Sequence, residues 1–86
     1  PASVGESYRG AVERLSGILE RRGDDLPPET RRVLERNLEI IDGAIAEAES
    51  ALARNPGSPA LVRALDRSYR RKIDVLQRSA RLASQL

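Results

Sequence analysis

Between Pro28 and Arg54 no proline interrupts the chain, and the apolar residues fall into two adjacent rows. Leu34, Leu38, Ile41, Ile45, Ala48 and Leu52 follow a 4-3-4-3-4 spacing, which keeps side chains on one face of a helix. Val33, Asn37, Ile40 and Ala44 form a second row at 4-3-4 spacing, rotated toward a different neighbour. A helix with one partner needs only a narrow apolar seam, whereas a wide arc implies burial on two sides. The spacing therefore predicts a long helix over 28–54 that is the central member of a three-helix unit.

The flanking segments supply the other two helices. The first is predicted from about Glu6 to Arg22 on the row Tyr8, Val12, Leu15 and Leu19, with Ala11 and Ile18 beside it. Gly10 and Gly17 lie inside it, each costing up to about 1 kcal/mol relative to Ala, and Gly23 is placed to end it in a left-handed cap. Residues 1–6 read as a frayed lead-in. In the turn that follows, Pro27 forces Leu26 out of the helical region, and Pro28 suits the first helical position.

Asn55-Pro56-Gly57-Ser58-Pro59 is the clearest punctuation in the chain. Asn55 stops the long helix, Ser58 is a good N-cap and Pro59 opens a third helix running to about residue 84. The third row is Leu61, Leu65, Tyr69, Ile73, Leu76, Ala80 and Ala83. Folding back at Gly57 sets Leu52 against Leu61, Ala48 against Leu65, Ile45 against Tyr69, Ile41 against Ile73 and Leu34 against Ala80. The expectation is an all-α, antiparallel three-helix bundle over residues 1–86, two long helices forming a hairpin plus a shorter N-terminal helix.

If the first helix lies beside residues 29–44, the hairpin tip over about 45–70 has no third helix. Leu52, Leu61, Val62 and Leu65, with Arg63, Arg67, Arg70 and Arg71, then form a candidate interaction surface. Asn37 falls where the first helix would arrive, and a buried Asn there would fix register. Gly43 falls opposite Tyr8 and would make room for its ring.

Composition narrows the chemistry. The chain has no Cys and no His, which removes thiolate and imidazole metal ligands, disulfides and the usual nucleophile–base pairs. No phosphate-loop glycine pattern is present, and a thin helical bundle offers little concavity, so an enzyme is not expected and no cofactor, metal or catalytic residue is assigned. Residues 1–57 hold eight basic and eleven acidic side chains, and residues 58–86 hold seven basic and two acidic. A third helix of net +5 raises binding to nucleic acid or another polyanion. Against it, no aromatics are interleaved with the arginines for base stacking. Folding back would also set Glu39, Asp42, Glu47 and Glu49 opposite Arg63, Arg67, Arg70 and Arg71. Asp66, Arg70, Asp74 and Arg78 form an i,i+4 ladder of their own.

Several stretches together carry a family resemblance: Pro28-Glu29-Thr30, Glu35 to Asp42, Ala44 to Ala48, Ala51-Leu52, Asn55-Pro56 and Arg70 to Leu76. Over about residues 6–80 the chain resembles the extracytoplasmic helical region of bacterial zinc-finger anti-sigma factors, proteins with a cytoplasmic zinc module and one transmembrane helix. Ser7-Tyr8 with the Val12, Leu15 and Leu19 row resembles the start of that region. The resemblance implies a sensory domain in signal transduction and transcription regulation, outside the cytoplasmic membrane, that works through a protein partner or self-association. The zinc ligands and the membrane span are not among these 86 residues, and membrane attachment would come only through a segment beyond them. The chain opens on Pro1-Ala2-Ser3 without Met and reads as a fragment or processed form. The alternatives are a polyanion-binding module and a plain coiled-coil scaffold.

Overall fold

A computed structural model describes residues 4–85. Three α-helices carry almost the whole chain: α1 (Val4–Arg22), α2 (Pro28–Arg54) and α3 (Pro59–Gln85), with a single 3-10 turn at Gly23–Asp25. No strand occurs among the described residues. Each of the two 27-residue helices is roughly 40 Å long at 1.5 Å per residue, which accounts for the 45 × 24 × 14 Å extents. The radius of gyration is 14.2 Å, against about 12 Å for a compact domain of this length.

The helix ends follow from local chemistry. Leu26 is extended, at φ −77° and ψ 141°, as a residue before proline must be, and Pro28 is the first residue of α2. The Asn55 N–H reaches the carbonyls of both Ala51 and Leu52, closing α2. At the start of α3 the Ser58 hydroxyl accepts the Leu61 N–H at 3.3 Å. The expected left-handed cap at Gly23 is not formed, because no described residue has positive φ. The end of α1 instead tightens into the 3-10 turn, closed by the Leu26 N–H on the Gly23 carbonyl at 3.1 Å. That tightening drops Leu26 into a buried cluster with Leu34 and Ala83.

The central helix is α3 and not α2. α3 packs along both other helices, whereas α1 and α2 scarcely approach each other. Leu15 of α1 meets Leu76 and Ala80, with Val12, Ile18 and Ile73 around them. Ile41 and Ile45 of α2 enclose Leu65, with Val4, Ala48, Leu52 and Tyr69 at the edge. The reason lies in matched spacing. Tyr8, Val12, Leu15 and Leu19 repeat the 4-3-4 interval of Tyr69, Ile73, Leu76 and Ala80, so the two rows stay in step. Once spent on α3, the single row of α1 has little left for α2 beyond Leu19, which packs against the cluster of Leu26, Leu34 and Ala83.

The second row of α2 is therefore uncovered. Val33 is 59% exposed and Ile40 65%, and Asn37, Gly43 and Ala44 face solvent with them. Asn37 thus fixes no buried register, and nothing lies within 4 Å of a Cβ built on Gly43. The glycine that admits a tyrosine is Gly5, buried in the first turn of α1, where a Cβ would stand 2.9 Å from the Tyr69 hydroxyl.

Candidate functional site

The hairpin-tip residues divide by burial. Leu65 is only 3% exposed, locked between Ile41 and Ile45, and belongs to the core. Leu52 and Leu61 are half-buried, and Val62 is exposed. Val4 brings the start of α1 to the level of Ile45 and Leu65, so the stretch without a third helix begins beyond them. Arg63, Arg67 and Arg71 are exposed on α3 and make no ion pair or hydrogen bond among the described residues.

The acid–base pairing differs from the expected one. Asp42 binds Lys72 at 2.7 Å, and Glu49 accepts the Tyr69 hydroxyl at 3.4 Å. Neither Glu39 nor Glu47 pairs with an arginine of α3. Two arginines of α3 pair along their own helix, Arg70 with Asp66 at 3.0 Å and Arg78 with Asp74 at 3.2 Å. Only Lys72 sits on the flank of α3 that faces α2, which is why the lone lysine takes the contact. Sequence periodicity carried that signal, since Lys72 lies seven residues, two helical turns, beyond Leu65, which faces Ile41 and Ile45 of α2.

One polar cluster joins α1 to α3. The Tyr8 and Tyr69 rings stack at 5.7 Å and 15°, the Tyr8 hydroxyl donates to Asp66, and Arg70 donates to the Tyr8 hydroxyl at 3.1 Å. Burial is the main cause that pushes the Tyr69 hydroxyl above its ordinary pKa, followed by the charge of Glu49 and the hydrogen bond to it, with Arg9 opposing. The Tyr8 hydroxyl, with Asp66, holds the Arg70 guanidinium above its usual range. No buried side-chain polar atom among the described residues lacks a partner, which fits a structural clasp between helices better than a reactive group.

Concavities are shallow. The most apolar one, about 240 Å³, lies where α1 and α2 diverge over Leu19, Leu26, Leu34 and Leu38. It is below the roughly 300–1,000 Å³ of small-molecule sites. A trough of about 600 Å³ runs along the outer face of α2 between Arg36 and Glu47, and a second of about 320 Å³ continues it from Glu29 to Arg36. No group of metal-ligating side chains occurs among the described residues, and none of their helices is long and apolar enough to cross a membrane.

Compared with known families, curated proteins and solved structures, the chain matches none of them.

Proposed function

We propose that this chain is a non-enzymatic regulatory domain on the extracytoplasmic side of a bacterial membrane, the helical tail of a membrane-bound anti-sigma factor. It would act by protein contact on the release of the sigma factor. One observation carries the reading: the resemblance over about residues 6–80, which includes Glu35 to Asp42 and Arg70 to Leu76. Several residues of that pattern, Leu38, Ile41, Ile45, Ile73 and Leu76, are packing residues of this bundle, consistent with a pattern that records helix seating.

The fold that goes with this reading is an antiparallel bundle in which α2 and α3 form a hairpin and α1 runs alongside α3. Its support is the order of the pairs: Leu34 with Ala83, Asp42 with Lys72, Glu49 with Tyr69. Nuclear Overhauser contacts between Leu34 and Ala83 and between Ile45 and Leu65 test that order.

The reading makes two demands of the parent gene. Upstream of Pro1 it should encode an apolar span of roughly 20 residues and a His/Cys zinc motif. In cells, removing residues 4–85 should change transcription from a promoter served by the cognate sigma factor, and Val62→Glu should change it in part. An upstream region without these features, or a reporter indifferent to the deletion, overturns the assignment.

A polyanion-binding module is the second reading, favoured by the unpaired Arg63, Arg67 and Arg71. Oligonucleotide retention that falls with salt and is lost when these three become Gln would favour it; retention unchanged by the substitutions would sink it.

A further inference from the structure

We infer that the outer face of α2 is a self-association surface, on which a second copy of this chain lies with its own α2 running in the opposite direction. The row the bundle leaves uncovered has Ile40 at its middle, Asn37 and then Val33 one and two turns toward the N-terminus, and Gly43 and Ala44 one turn beyond. Two troughs that share Arg36 run along this face, so it is one continuous surface. Val62 and Leu82, the other exposed large apolar residues, sit on α3.

The charges select the occupant. Glu29 and Arg32 at the N-terminal end answer each other on their own helix, which leaves Arg36 before Ile40 and Glu47 after it, with Glu39 on the flank. Arg36, Glu39 and Glu47 have no ion-pair or hydrogen-bond partner among the described residues, while Arg32 holds Glu29 at 3.2 Å on its own helix. A two-fold axis places the same patch on both partners, so the patch must complement itself when reversed end to end. This one does. A two-fold through Ile40 sets Ile40 against Ile40 of the second copy, and Arg36 beside Ala44 of the second copy within a helical turn of Glu47. A parallel pairing would set Arg36 against Arg36 and Glu47 against Glu47. The basic outer face of α3 could attract Glu39 and Glu47, but its exposed large apolar residues, Val62 and Leu82, stand 20 residues apart, roughly 30 Å along the helix, and form no row to match that of α2.

The test is sedimentation velocity on residues 1–86 from roughly 10 µM to 1 mM, the range suited to an interface at the small end of specific contacts. Wild type is expected to dimerise in this range. Arg36→Glu alone and Glu47→Arg alone each set like charges together twice across the axis and should weaken association by about tenfold or more. Mixed in equal amounts, the two variants should recover a 1:1 dimer, since each then supplies the charge the other lacks. Ile40→Ser, at an exposed position, should keep the helical circular dichroism and also weaken the dimer.

A wild type that stays monomeric throughout overturns the inference, whatever other protein it binds. So does association unaffected by the charge reversals, which would move the contact to the Val62 end or to the arginines of α3, and so does a mixture that fails to pair. The measurement uses the isolated chain and leaves the transcriptional reading untouched, so either can fail without the other.

Discussion

Gly5 and Gly10 show how one residue type acquires opposite meanings in one helix. Glycine inside a helix costs about 1 kcal/mol relative to alanine through backbone entropy, so the sequence reads Gly10 as a weak point. With no neighbour within 4 Å of a built Cβ, Gly10→Ala should stabilise the domain by up to about 1 kcal/mol, raising Tm by roughly 4–8 °C per kcal/mol. Gly5→Ala should not, because its methyl group would push the Tyr69 hydroxyl off Glu49 and disturb the ring stacked on Tyr8. Calorimetry on the two variants should move Tm in opposite directions relative to wild type. An equal gain from both would show that Tyr69 yields freely.

Tyr69 also ties stability to pH. The folded protein holds its phenolic proton more tightly than the unfolded chain, through burial first and Glu49 second. That contribution is complete below the unfolded value of about 10 and is lost as pH climbs through the higher folded value. Wild type should therefore lose Tm more steeply above pH 10 than Tyr69→Phe, which has no phenolic proton to lose. Coincident alkaline limbs would show that other groups govern the loss.

Among the elements, α3 carries the most weight because its apolar side chains serve two neighbours. Ile73, Leu76 and Ala80 meet α1, while Leu65 and Ala83 face residues of α2, and Leu76 and Ala83 are 2% and 0% exposed. Leu76→Ala should cost about 2–5 kcal/mol, a large part of the stability of a domain this small, and chemical denaturation will measure it. Val33→Ser on the outer face of α2 should stay within about 0.5 kcal/mol in the monomer. If the two variants cost the same, the assignment of α3 as the shared helix is wrong. The connections were readable position by position: Pro28 at the first turn of α2, Asn55 at its end, the Ser58 side chain on the Leu61 N–H. The 3-10 turn was not, because Gly23 suits either ending, and what pulls the chain tight is the burial of Leu26 against Leu34 and Ala83.

At the scale of the molecule the bundle is a thin object, 14 Å through its shortest dimension, and its most apolar concavity holds about 240 Å³. It presents two surfaces of different character: the reversing charge and uncovered apolar row of α2, and the arginine-lined outer face of α3.

The sequence by itself determined where the three helices run to within a few residues, and the punctuation at Pro28, Asn55 and Ser58 though not the end of α1 at Gly23, because 3.6-residue periodicity, prolines and caps act within a few neighbouring residues. Only the tertiary structure decided which helix became the centre. The two α2 rows share one spacing, and periodicity cannot say which will find a partner. That depends on α1, whose single row fits Tyr69, Ile73, Leu76 and Ala80 in step and is used up there. Val33 and Ile40, apolar in the same pattern as Ile41 and Ile45, are left facing water for that reason.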